Sequence, residues 1–211
     1  MNKKIASEIL DELEKQFPNA KCELNYTTPF ELLVAVILSA QCTDKRVNEV
    51  TKTLFSQYST PEQFATLSVA ELGKLIFSCG FYKSKAESII ETSKSLLENY
   101  GGNVPTEIDE LVKLRGVGRK TANVVRSEAF NIPAIAVDTH VLRTSNRLGF
   151  TKTDDPNVAE QDLMKYIDKS RWSRAHHLLI FLGRYCCSSR NPKCDNCQVK
   201  NFCKYREKGN V

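Results

Sequence analysis

The chain has 211 residues, 41% hydrophobic and 26% charged, an ordinary globular composition with enough apolar material for a core and no need of disulfides. No apolar run approaches the roughly 18 residues of a membrane span, and the basic start Met1–Lys4 leads into no apolar signal region, so a cytoplasmic protein is expected. The net charge of +5 is unevenly spread: residues 1–110 carry eleven basic and sixteen acidic side chains, 111–150 seven and two, 151–170 three and five, and 171–211 nine and two.

Helical patterns dominate in chain order. Ile5, Ile9, Leu10, Leu13 and Phe17 follow a helical period, and Pro18 stops that helix. Thr28-Pro29 opens a helix through Ser39 that is apolar nearly all round, which predicts a central buried position. Helices follow over Val47 to Tyr58, from Pro61, and from Ser68, whose Ser-Val-Ala-Glu start is a capping-box pattern. Lys83 to Tyr100 is a long amphipathic helix ended by Gly101-Gly102. A short helix is expected over Pro105 to Leu114, another over Lys120 to Ala129, and a third from Asp138 through Arg147. The β-like stretch Ile132 to Val137 is demoted by Pro133. The chain reads as all-α with a cysteine-rich tail.

The two basic blocks suit a polyanionic partner, because clustered Lys and Arg displace counterions from phosphates. The alternative is a solvated basic surface with no partner. Between them lies Leu114-Arg115-Gly116-Val117-Gly118-Arg119-Lys120, with glycines that permit positive φ and close backbone approach. The helix that follows presents unpaired N–H groups, a ready site for phosphate; a generic two-glycine connection is the plainer reading. Lys120, flanked by Arg115 and Arg119, is either a solvated lysine or, if partly buried, a neutral amine able to form a Schiff base. Asp138 reads as a helix cap, and an ionised carboxylate there can also handle protons.

Of eight cysteines, Cys22, Cys42 and Cys79 are isolated, and five fall within the C-terminal tail. Cys187, Cys194, Cys197 and Cys203 form C-x6-C-x2-C-x5-C. One short knuckle with two wide arms fits a cubane-sized cluster at least as well as a zinc ion. Spacing alone leaves open whether Cys186 or Cys187 is the ligand.

In combination, Leu-Arg-Gly-Val-Gly-Arg-Lys-Thr-Ala-Asn (114–123), Val-Asp-Thr-His-Val (137–141), Leu-Ser-Ala-Gln-Cys-Thr-Asp (38–44), Ser-Lys-Ala-Glu (84–87) and the four-cysteine tail resemble the endonuclease III family. These are bacterial bifunctional DNA glycosylases and abasic-site lyases for oxidised pyrimidines. The resemblance spans nearly the whole chain. It implies an all-α helix-hairpin-helix glycosylase fold with a DNA cleft between two domains. One would cover residues 22–132, with the hairpin over about 107–129. The other would join residues 1–21 to 133–211 and carry a [4Fe–4S] cluster.

The resemblance further implies that Lys120 is the Schiff-base nucleophile, Asp138 the catalytic carboxylate, and Cys187, Cys194, Cys197 and Cys203 the cluster ligands. Gly116, Val117 and Gly118 would hold phosphates, with Arg119 beside them. Gln41 would fill the gap left by an extruded base, and Phe81 would wedge into the opposite strand unless it is core. Arg190 and Lys193 in the cluster loop would meet phosphate. The expected partner is duplex DNA carrying damaged pyrimidines or abasic sites, met by a monomer at the bacterial nucleoid. Position 115 departs from the family, which usually has Pro there; Arg115 would compensate with a phosphate contact. Asn191 stands where a basic residue is common. A mismatch thymine or uracil glycosylase, a monofunctional relative and a non-catalytic DNA-binding module are the alternatives.

Overall fold

The computed structural model describes residues 1–207; the last four residues of the expected cluster domain, 208–211, lie outside the described residues. No strand occurs among the described residues. The chain divides into two compact units, Glu23–Ile132 and a second that joins Met1–Cys22 to Pro133–Val211.

The contiguous unit is built on α2 (Pro29–Ser39), in which every residue from Phe30 to Leu38 is buried. Thr28 starts it, its side chain accepting from the Glu31 amide, with Pro29 at the first turn. Around it lie α3 (Asp44–Gln57), α4 (Pro61–Ala65), α5 (Val69–Ile76), α6 (Tyr82–Tyr100), α7 (Ile108–Leu111) and α8 (Arg119–Phe130). α2 packs against α3, α6 and α8, and α6 packs against α4 and α5. The capping box at Ser68 is formed, with a second at Thr60. α6 ends as the two glycines require, with Gly101 and Gly102 at φ of 58° and 81°.

Several helix ends differ from expectation by one residue, and three boundaries bear on the site or its neighbours. α3 starts at Asp44 because Thr43 caps it, accepting from the Arg46 amide. The helix expected over Pro105 to Leu114 is a single turn, Ile108–Leu111, after which the chain runs through i→i+3 turns. α8 starts one residue early, at Arg119.

The second unit gathers α1 (Lys3–Gln16), α9 (Thr139–Leu148), α10 (Pro156–Tyr166), α11 (Trp172–Phe181) and the short α12 (Lys204–Glu207). Ile9, Leu10 and Leu13 of α1 meet Val141, Leu163, Leu178 and Leu179 in its core. Each such buried side chain contributes about 1.5–3 kcal/mol of transfer free energy. The extended segment from Pro133 feeds Ile135 and Val137 into the same core. A π-turn, Leu182–Cys186, follows α11 and delivers the chain to the cysteine loop. There Gly183 is required: a Cβ would stand 2.8 Å from His140 Cβ on α9.

Candidate functional site

In the contiguous unit, residues 114–117 form a β-turn closed by the Val117 amide donating to the Leu114 carbonyl at 3.1 Å. Gly116 occupies its third position with φ of 79°, the geometry of a type II turn. A side chain there would put its Cβ 2.9 Å from Ser88 Cβ, so α6 lies directly beneath the turn. Gly118 differs from the expectation of positive φ. It is extended (φ −89°, ψ 175°) and serves as the N-cap of α8. Nothing lies within 4 Å of where its Cβ would stand. A glycine cap has no side chain to cover the first N–H groups of the helix, which leaves that end open to an anion. Val117 is buried, and its amide is used in closing the turn.

Lys120 lies in the first turn of α8 and is exposed, as is Arg119. Of the two readings of Lys120, the structure has the solvated lysine: second in α8, it projects beside the hairpin rather than into the core. Arg115 also departs from expectation. Its guanidinium is taken up by two carboxylates of α6, Glu87 Oε2 at 2.8 Å and Glu91 Oε1. Its carbonyl accepts from Thr92 Oγ1 at 2.9 Å. The compensating contact is with protein carboxylates, because the type II turn aims residue 115 at α6.

Gln41 and Phe81 lie on adjoining turns, since a Cβ at Gly80 would stand 3.8 Å from the Gln41 carbonyl. Both are exposed and left-handed, with φ of 53° and 59°. Among the described residues the other non-glycine cases are Asn131 and Asn191, a residue type that tolerates this region. Gln and Phe do not share that tolerance, so the surrounding fold imposes the conformation. Part of the restraint comes from Lys85, buried, whose Nζ donates to the carbonyls of Leu38 and Ala40 at 2.8 and 2.6 Å. Gln41 caps neither neighbouring helix: Ala40 ends α2 and Thr43 starts α3. Phe81 is 68% exposed and is no part of the core.

In the second unit Asp138 is the N-cap of α9, its Oδ1 accepting from the Val141 amide at 2.8 Å. The same helix holds the cysteine loop through two arginines that the sequence reading did not single out. Arg143 donates to the carbonyls of Cys187 and Gly183 at 3.1 and 2.9 Å. Arg147 donates to the carbonyls of Ser188 and Ser189 at 2.7 and 3.0 Å, and to Cys187 Sγ at 3.2 Å. It also stacks over the Tyr205 ring at 4.3 Å. Their i, i+4 spacing was the available signal.

Cys187, Cys194, Cys197 and Cys203 line one cavity with Cys186, Arg147 and Tyr205. Among the described residues no three His, Cys, Asp or Glu side chains converge as one bare ion would need. All five cysteines of the tail are lining residues of this cavity. Burial pushes the Cys197 thiol up to about 12 and raises Cys194 as well. Any metal group held here must therefore displace protons to gain its thiolates. Cys186 is buried and its Sγ contacts the Lys193 carbonyl at 3.4 Å, whereas Cys187 receives the Arg147 hydrogen bond. Arg190 and Lys193 are exposed on this loop. Asn191 has φ of 51°, which explains an Asn there rather than a long basic side chain.

Residues 34–169 match the HhH-GPD superfamily of base excision DNA repair proteins. Endonuclease III of Bacillus subtilis (strain 168) is 52% identical over 200 residues, 94% of this chain and 91% of that protein. The structure of a trapped endonuclease III–DNA covalent intermediate, an estranged-adenine complex, has a TM-score of 0.95 and 50% identity, covering 100% of both chains. A thermostable thymine-DNA glycosylase, at TM-score 0.86 and 23% identity over 97% of this chain and 98% of that one, shares the fold. An exposed lysine beside an uncapped hairpin helix and a helix-capping aspartate thus stand in a chain that matches along its whole length. The chain belongs to the HhH-GPD superfamily of base excision DNA repair proteins and, within it, to the endonuclease III family.

Proposed function

We propose that this chain removes oxidised or ring-saturated pyrimidines from duplex DNA and cuts the strand 3′ of the resulting abasic site. The observation that carries the reading is Lys120, exposed in the first turn of α8, directly after a type II turn and an uncapped helix start. Phosphate held at that start brings the sugar to the amine.

A base must leave the stack before its glycosidic bond is reachable, and a ring-saturated pyrimidine stacks poorly, so its extrusion costs less. Gln41 and Phe81, exposed on adjoining turns in imposed conformations, suit insertion into the duplex: Gln41 into the vacated gap, Phe81 as an apolar wedge. Once its ammonium has given up a proton, the Lys120 amine attacks C1′ with its electron pair; the C1′–N bond breaks and the base departs with a proton. The C1′–O4′ bond then opens, O4′ taking a proton, and the resulting iminium acidifies C2′–H. Loss of that proton expels the 3′ phosphate by β-elimination and leaves the sugar joined to Lys120 until water releases it. Asp138, the N-cap of α9, is assigned the carboxylate that steadies the cationic sugar and handles protons.

Cys187, Cys194, Cys197 and Cys203 would hold a [4Fe–4S] cluster, as their arrangement around one cavity favours. When bound it supplies a structural tie and no electrons to the cutting step. Through it, with Arg143 and Arg147, the loop carrying Arg190 and Lys193 is shaped to meet phosphate.

Borohydride trapping on a duplex with one thymine glycol tests the reading, with Lys120→Ala as control. A covalent adduct from the unaltered chain alone is expected. An adduct on an abasic duplex but not on thymine glycol would refute the assigned base specificity. No adduct on either, from folded protein that binds DNA, would refute the lysine mechanism.

A further inference from the structure

At position 115 the chain breaks with the pattern that fixes its hairpin. The second position of a type II turn favours Pro, which presets φ near −65°. Arg115 has that position and no such constraint, and Gly116 after it is the most flexible of residues. Four residues of α6 contact the turn in place of that constraint. Glu87 and Glu91, one turn apart, take the Arg115 guanidinium from the same helix face. Thr92 donates to the Arg115 carbonyl at 2.9 Å. Ser88 fills the floor beneath Gly116 so closely that no Cβ fits between them.

We propose that Arg115 is a positioning residue: its ion pairs with Glu87 and Glu91 hold the phosphate-binding hairpin in the shape that a proline ring would otherwise fix. Arg115 then touches no phosphate, and its charge is spent on α6. The same pairing offsets half of the negative charge that Glu87 and Glu91 place beside the hairpin. The DNA consequence rests on the function proposed above; the effect on the turn does not.

Arg115→Ala and Arg115→Pro separate turn from charge. Both remove the guanidinium, and only Pro restores the restraint on φ. Each is made in the full-length, cluster-loaded protein, alone and together with Glu87→Gln and Glu91→Gln, the second background leaving no bare carboxylate to confuse the comparison. Two quantities are read: hydrogen exchange of the Val117 amide, whose bond to Leu114 closes the turn, and affinity for a duplex carrying a tetrahydrofuran abasic analogue across a salt series. Arg115→Ala alone is expected to speed Val117 exchange and weaken binding roughly fivefold. In the Gln background Ala stays weak with the salt slope of the unaltered chain, and Pro recovers both readouts to within about twofold. A salt slope reduced by about one in Arg115→Ala within the Gln background would overturn the proposal, because Arg115 would then be a phosphate ligand. Equal weakness of Pro and Ala, or no effect of Ala on Val117 exchange, would overturn it too. If the unaltered chain failed to bind the abasic duplex, the function reading would fall while the exchange data still decided the turn.

Discussion

The two hairpin glycines are alike in sequence and opposite in structure, which makes them a paired test. Gly116→Ala forces a side chain into left-handed backbone, costing about 1–2 kcal/mol. Its Cβ would also meet Ser88 Cβ at 2.9 Å and Oγ at 3.1 Å. Ser88 lies within α6 and cannot retreat freely, so overpacking adds about 1–3 kcal/mol. Reduced entropy of the unfolded chain returns about 0.4–1 kcal/mol. The net expectation is a loss of about 2–4 kcal/mol in urea unfolding. Ser88→Gly on top of Gly116→Ala removes the clash but not the φ penalty, and so recovers only part. At Gly118 neither term exists: φ is −89° and the space is open. Gly118→Ala should cost under about 1 kcal/mol, the difference between Gly and Ala as a cap. Its new methyl stands at the uncapped helix start, however, so affinity for an abasic duplex should fall at least about tenfold. Gly116→Ala within about 0.5 kcal/mol of the unaltered chain would refute the steric reasoning. Undiminished DNA affinity in Gly118→Ala would refute the phosphate assignment.

Three further outcomes follow from single contacts. Burial, with the neighbouring Cys42 thiol, pushes Cys79 up to about 11 from 9.0; the folded chain then binds the proton more tightly, so this stability is complete below pH 9 and lost as pH rises through 11. Urea unfolding at pH 8 and 10.5 should show a loss that Cys79→Ala reduces by about 1–2 kcal/mol, and identical pH dependence in the two proteins would exclude it. Gly183→Ala places a Cβ 2.8 Å from His140 Cβ and 3.2 Å from Arg143 Nη2, and should lower stability by about 1–3 kcal/mol, read as a shift of the urea midpoint. Arg147→Ala removes the bonds to Ser188, Ser189 and Cys187, so limited proteolysis should cut within residues 187–203 faster than in the unaltered chain, with an unchanged rate as the contrary result.

How much could be read in advance depended on whether the determinant was local. Thr28-Pro29, Ser68-Glu71 and Gly101-Gly102 fix helix ends through bonds within six residues, and each stands where the sequence indicated. Of the helices after Leu148, α10 has a legible local start in Asp155-Pro156, whereas α11 begins without a side-chain cap and is completed by packing on α1 and α9. Residues 105–114 carry a helical pattern but form one turn, since the chain must reach the β-turn at Leu114. Lys120 and Asp138 were legible as candidates from their motifs. The partners of Arg115 were not: Glu87 and Glu91 lie more than twenty positions upstream. Gly116 and Gly118 looked equivalent because glycine permits any φ, and only packing against Ser88 distinguishes them.

A common device emerges in the two units, with a different expected response to salt. In each, one helix fixes a loop through side chains at i, i+4. Glu87 and Glu91 of α6 hold the hairpin, while Arg143 and Arg147 of α9 hold the cysteine loop. The first clamp is ionic on both sides, and all three of its side chains are roughly half exposed. Such pairs contribute about 0–1 kcal/mol and weaken as the Debye length shrinks from about 10 Å at 0.1 M to about 3 Å at 1 M. The second is half-buried and joins a charge to carbonyl oxygens, so screening touches it less. Raising salt from 0.1 to 1 M should therefore speed exchange of the Val117 amide several-fold while leaving the Cys187 amide, bonded to the Leu182 carbonyl, nearly unaffected. Equal sensitivity of the two amides would show that the hairpin is held by packing on Ser88 rather than by its ion pairs, and Arg115→Ala would then leave Val117 exchange unchanged.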